Sequence, residues 1–206
     1  MNYYTWLVDD EDDSFAWFLD TPKELMETDY LLRKGNPCKE WFTEGMVFDL
    51  SEERGSALTD AIPNTDRLLV VSEKLKDLLE RHAPEDSIEF LPVRLRTPEG
   101  RLIPQAYFVA NVLGTVACVN REESKFTMNA ILKDQVGRFQ HLVLDEPAIP
   151  DGKKIFRLAE LRTLIIARQD LAQAIVDADC TGMLFIPLKD YGAEFRSDVT
   201  DDDEDD

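Results

Sequence analysis

The chain has 206 residues, enough for a sizeable core, and its 44% hydrophobic and 32% charged content is ordinary for a folded soluble protein. Its charge is not ordinary: 42 acidic against 23 basic residues give a formal net charge of -19. Phosphate recognition rests on clustered Lys and Arg, so nucleic acid and anionic membrane are disfavoured as direct partners and a basic protein partner is favoured.

The acids are unevenly placed. Asp9, Asp10, Glu11, Asp12 and Asp13 supply five and the stretch from Asp198 to Asp206 seven, which leaves the body at about -7, with 30 acidic and 23 basic residues. Cys38, Cys118 and Cys180 are odd in number and far apart, the pattern of reduced intracellular thiols. The N-terminus lacks a cationic leader, and the longest apolar run, Ala106 to Val119, is too short for a membrane span. The expected location is the cytoplasm.

In chain order, alternation in Tyr4, Trp6, Val8 and in Phe15, Trp17, Leu19 predicts two short strands, a hairpin holding the acidic loop out into solvent. Pro22, Gly35 and Pro37 punctuate a mixed segment with a helix-like middle. Leu68 to Val71 predicts a strand, with Ser72 as the N-cap of a helix whose apolar face is Leu75, Leu78, Leu79 and His82. Lys76 and Glu80 lie four apart on its exposed side, and Pro84 ends it. A second such unit follows later, with Leu164 to Ala167 as strand and Leu171, Ala174, Ile175 and Ala178 as helix face. Arg168 there takes the place of the capping Ser72, and Gly182 offers the exit.

Between these units the pattern is β. Ile88 and Phe90 share one phase and Leu91, Val93 and Leu95 the other, so Pro92 marks a bulge or an edge. Ala106 to Val119 reads as a buried strand bent at Gly114, and Phe139 to Leu144, Ile155 to Leu158 and Met183 to Leu188 add more. Strands outnumber helices. The expected fold is α+β, a mostly antiparallel sheet with a few packed helices and two similar strand-to-helix units. Residues 1–66 read as an aromatic-rich part of the same globule, 67–190 as the α+β domain and 191–206 as an acidic, disordered tail.

Catalysis needs convergent acids, bases, nucleophiles or metal ligands. His82 and His141 stand outside any motif, one at a helix end and one alternating with Phe139 and Val143 on a strand. Neither GxGxxG nor GxxxxGK[ST] occurs, and Asp9 to Asp13 lacks the glycine and terminal glutamate of a calcium loop. The expectation is no catalytic, cofactor-binding or metal-binding residue. The acids read in two ways, as solvated surface or as a patch that steers a basic partner. The pairs Trp17 with Phe18 and Trp41 with Phe42 also have two readings, core or interface anchor. These nine residues are the candidate partner-binding set.

Five strings carry a resemblance: VVSEKLKDLL, IEFLPV, YFVANVLGTVACVNREESKF, KKIFRL and ADCTGMLFIPL. In number and order they resemble the immunity-protein family of bacterial polymorphic toxin systems, first catalogued as a domain of unknown function. They cover roughly Leu68 to Leu188, and the first sixty residues match loosely. The resemblance implies a cytoplasmic protein that binds and blocks a cognate toxin. A non-inhibitory acidic adaptor or scaffold for a secreted effector is the alternative, and an enzyme that reverses toxin damage a third reading.

Overall fold

The computed structural model describes residues 2–133 and 135–192. The chain opens with β1 (Tyr3–Val8), α1 (Asp29–Arg33), β2 (Met46–Asp49) and β3 (Ala61–Ile62). Next come β4 (Val70–Ser72), α2 (Glu73–His82), β5 (Ile88–Arg96), β6 (Tyr107–Val112) and β7 (Thr115–Val116). The last elements are β8 (Lys125–Met128), β9 (Val136–His141), β10 (Ile155–Leu158), β11 (Ile165–Arg168), α3 (Gln169–Asp177) and β12 (Met183–Pro187). The acidic tail expected at 191–206 falls, from residue 193 on, outside the described residues. No helix among the described residues is long and apolar enough to cross a membrane.

The fold is α+β and mostly sheet. One five-stranded sheet runs β12-β1-β11-β10-β7, a second runs β2-β5-β6-β4-β3, and β8 and β9 form a separate ribbon. Pairing is antiparallel except for β2 with β5 and β7 with β10. Alternation along each strand sends successive side chains to opposite faces, and both faces are covered. Val71, Ala110 and Val112 of the second sheet and Trp6, Ile165 and Ala167 of the first meet Leu75, Leu79, Leu171 and Ile175 of α2 and α3 in a central core. Val70, Leu91, Val93, Leu95 and Val109 face the other way, against Leu25, Leu32, Phe42 and Phe48. The outer face of the first sheet, Phe156, Leu158 and Ile166, is closed by Val136, Phe139 and Leu142.

The two strand-to-helix units are present and differ at their caps. Ser72 Oγ accepts from Leu75 N at 3.2 Å and donates to Asp60 at 2.7 Å, so one hydroxyl caps α2 and ties it to the preceding loop. Arg168 makes no such cap and grips Asp170 in the first turn of α3 at 2.7 and 2.9 Å. That guanidinium, with Lys154 beside it, holds the Asp170 carboxyl well below its usual range. Lys76 and Glu80 pair at 2.7 Å as the spacing predicts.

Three expectations are corrected, and of the two readings of Pro92 the edge is the one that holds. Residues 15–19 do not pair with β1, whose two edges are taken by β11 and β12; Phe15 and Phe18 make single bridges to Ala57 and Asn64. There is no bulge at Pro92: β5 pairs with β6 in unbroken register from Ile88 to Val93, and β2 joins only from Val93 on. Pro92 therefore sits where the strand's other edge is open, which its missing NH permits. The change of phase that suggested a bulge records two covered faces. The run 106–119 is not one bent strand, because β6 belongs to the second sheet and β7 to the first, with the crossing at Gly114. The strand expected at Phe139 to Leu144 is β9, which starts and ends three residues earlier than that reading.

Arg157, on β10, is only 2% exposed. Its guanidinium donates to Val112 O at 2.9 Å, Arg33 O at 2.9 Å, Arg162 O at 3.1 Å and Leu32 O at 3.3 Å. Gly35 lies directly against it with φ +67, and a Cβ there would stand 2.3 Å from Val112 O and 2.8 Å from Arg157 Cδ. Left-handed backbone and lack of room both demand glycine. Gly35→Ala is expected to lower stability by roughly 2–3 kcal/mol, read as a fall in the urea midpoint. An unchanged midpoint would contradict the packing described.

Candidate binding surface

Between the ends of the two sheets lies an open groove of about 470 Å³. Trp6, Trp17, Leu68, Leu164 and Leu184 line it, and Asp10 and Arg67, both exposed, stand in its wall. The groove is held open by the loops around it. Asn64, buried, donates to Ile62 O and Leu68 O and accepts from Leu68 N, which closes residues 62–68 into a rigid turn. Within it Arg67 is kept at φ 57, a left-handed conformation that a non-glycine residue adopts only under constraint. Thr65 donates to Leu19 O at 2.8 Å, and Thr21 bonds Asp66, so the segment after Trp17 is fastened to the same turn.

The opposite wall is fixed at Gly182. Asp9 N donates to Gly182 O at 3.3 Å, and Ala61 N donates to Thr181 O at 2.9 Å. Gly182 has φ +89, and a Cβ on it would meet Ala61 O at 2.0 Å. Asp60 reaches the same place, accepting from Thr181 N at 3.2 Å. The exit glycine of the second strand-to-helix unit thus joins the two sheets beside the acidic loop.

That loop is pinned at both ends. Its start is the Asp9 bond to Gly182, and its end is Ser14 O, which accepts from Ala57 N at 2.9 Å. Inside it, Asp9 accepts from Glu11 N at 3.2 Å and Asp12 from Ser14 N at 2.8 Å. The hydrogen bonds from Ser14 lower the Asp12 pKa, which favours its charged form. Asp10, Glu11, Asp12 and Asp13 are exposed.

The nine candidate residues are therefore distributed unevenly. Asp10 of the acidic loop and Trp17 meet at the groove, and the guanidinium of Arg54 stands 4.8 Å over the Trp17 ring. Phe18 is fully buried against Phe48, with rings 4.8 Å apart, and Phe42 belongs to the same core. Trp41, tilted 51° to Phe42 at 6.5 Å, is the exposed member of its pair at 39%. Of the two readings left open for the pairs, core holds for Trp17, Phe18 and Phe42, and Trp41 alone is exposed; residues 16–18 lie between elements and are buried in succession.

A sequence model of the Imm11 immunity protein family matches residues 10–190. The chain belongs to that family. The match takes in Asp10 to Asp13, Trp17 and most of the groove lining, and extends well beyond the strings from Leu68 to Leu188 that carried the resemblance. No curated protein matches the chain. Membership of Imm11 carries an immunity role against a toxin in general, and with it a toxin as partner.

Among the described residues no group of three or more His, Cys, Asp or Glu is placed to hold a metal ion. Burial pushes the thiols of Cys38 and Cys118 up to about 12 and that of Cys180 up to about 11, away from the thiolate form that attacks. What sequence reasoning missed is the groove itself. Arg67, Leu68, Leu164 and Leu184 come from three separate segments, and the positive φ forced on Arg67 marks the place, a signal visible in the backbone alone.

Two predictions follow from this arrangement of rings and thiols. Phe18→Ala is expected to cost about 3–5 kcal/mol of stability, whereas Trp41→Ala changes the thermal midpoint little; equal effects would contradict the assigned burial. The raised pKa values also set a pH dependence. Cys38 and Cys118 rise from 9.0 to about 12, and Tyr107, chiefly through burial, from 10.0 to about 12. Above pH 9 the unfolded chain releases protons that the folded chain keeps, so their contribution to stability is complete below that pH and is lost as pH rises toward 12. The urea midpoint is expected to fall between pH 9 and 11, and Cys38→Ser, if the fold accepts it, to flatten that fall.

Proposed function

We propose that this protein neutralises a cognate bacterial toxin by binding it and covering a basic or substrate-binding face, acting in the cytoplasm as a stoichiometric inhibitor without catalysis or cofactor. The observation that carries the reading is the acidic loop pinned beside the apolar groove, within a chain of the Imm11 family. A partner side chain entering between Trp17 and Leu184 would be desolvated against apolar walls while Asp10 and its neighbours face the partner's cations. Charge at a rim mainly sets the rate of encounter, and buried contacts set how long the complex lasts. A surface held by its own hydrogen bonds loses little freedom on binding, which favours tight association.

The two contributions separate experimentally. Replacing Asp9, Asp10, Asp12 and Asp13 by Asn and Glu11 by Gln is expected to slow association with the toxin domain about tenfold or more at low salt and to weaken the salt dependence, with a much smaller change in dissociation rate. Leu184→Arg, which fills the groove with a cation, is expected to raise the dissociation rate and to abolish protection of cells expressing the toxin. Unchanged kinetics in both variants would exclude this face. A complex in which the toxin stays fully active would favour the acidic adaptor instead.

A further inference from the structure

The ribbon of β8 and β9 ends in an exposed apolar tip. Ile131 is 88% exposed, Met128 43% and Leu132 42%, an arrangement that water disfavours and that surface turns ordinarily avoid. The tip is not slack. Asn129 Oδ1 accepts from both Ile131 N and Leu132 N at 2.9 Å, Asn129 N donates to Gln135 O at 2.9 Å, and Gln135 N donates to Leu132 O at 2.9 Å. The turn is thus folded around one asparagine, which presents the Ile131 side chain outward in a set geometry.

The ribbon is also firmly mounted. A two-stranded sheet is marginal on its own. Here Val136 and Phe139 are buried in the outer core of the first sheet, and Phe126 packs edge-on against Phe139 with centroids 5.8 Å apart. Val136 N donates to Glu160 O at 3.0 Å, next to Leu161, which lines the groove described above. Gly192 backs onto Phe139 O, beside Tyr191, another groove residue. The tip end of the ribbon, where Val136 pairs with Met128, is therefore continuous with the groove wall, and at about 3.3 Å per residue the turn from Asn129 to Gln135 projects some 10 Å beyond it. A partner interface of ordinary size spans that distance.

Its charge is opposite to that of the rest. Residues 124–141 hold Lys125, Lys133 and Arg138 against Asp134, in a chain of net charge -19. The tip does not suit the basic surface that the acidic loop would meet; it suits an apolar hollow with an acidic rim.

We infer that the tip formed by Met128, Ile131 and Leu132 is a second contact with the toxin, inserting into an apolar hollow bordered by carboxylates while the acidic loop and groove engage a basic face. This rests on the inhibitory reading above and adds to it the part that would confer selectivity: a toxin must offer two patches of opposite charge at a set separation, and one lacking either is rejected.

The test uses the full chain and the purified toxin domain whose growth arrest it suppresses. Ile131→Asp is expected to weaken the dissociation constant at least about tenfold, and Asn129→Ala, which frees the tip while keeping its apolar side chains, by a smaller factor of about three. Ile131→Asp should leave the thermal midpoint near that of the wild type, because Ile131 is exposed. Should Asn129→Ala unfold the ribbon, Leu132→Asp serves in its place. Dissociation constants for Ile131→Asp and Leu132→Asp within twofold of the wild type, alongside slowed association for the neutralised acidic loop, would overturn the second contact and leave the first standing. If the wild-type chain protects cells yet forms no complex, inhibition by binding falls and this inference with it. A wild-type dimer that Ile131→Asp turns into a monomer of unchanged toxin affinity would assign the tip to a second copy of the chain and overturn it too.

Discussion

A buried guanidinium with only carbonyl partners sets the frame of this molecule. Among the described residues Arg157 bonds four main-chain oxygens, from β6, from the end of α1 and from the loop after β10. Burial lowers its pKa to about 10, which still leaves it charged at neutral pH. Bare carbonyls at a helix end are poorly satisfied and carry partial negative charge, so the cation and the α1 terminus answer each other's need. One side chain thereby joins the first sheet, the second sheet and the N-terminal segment. Removing it would leave several buried acceptors without donors, each costing about 1–3 kcal/mol.

Other polar ties reinforce the frame at separate points. Asp86 accepts from Lys154 N and Ile155 N at 3.0 Å, with Lys153 at 3.0 Å from its other oxygen, and so holds the start of β10 to the loop after α2. Glu89 accepts from Cys38 N at 2.8 Å and from Asn111 at 3.0 Å, fastening the N-terminal segment to β5 and β6. At the far end, Asp60 and Gly182 close the sheets together. The groove lies between elements that these ties hold in place, and so its walls are positioned before any partner arrives. That is the physical basis for treating it as a binding surface.

How far these features could be seen in the sequence follows from the range of the interactions involved. The Ser72 cap, the Lys76–Glu80 pair, the apolar faces of α2 and α3 and the strand at Ile155–Leu158 depend on neighbours within a few residues, and their patterns are plain. β2 and β3 went unseen because they are short and exist only through pairing with β5 and β4. The crossing at Gly114 was visible as a bend but not as a change of sheet, since both halves of the run are equally apolar. Burial of Trp17 and Phe18 in succession cannot be deduced from alternation, which assumes one covered face. The acidic loop was legible as charge; its place beside the groove depends on Gly182, more than 160 residues away in sequence.

The account stands or falls on where the toxin touches. Amide hydrogen exchange of the full chain, measured alone and saturated with the toxin domain, maps that contact directly. The prediction is new protection in residues 9–17, 62–69 and 161–164, with little change on the exposed faces of α2 and α3. Protection confined to those helices, or none anywhere in a chain that still silences the toxin, would contradict it.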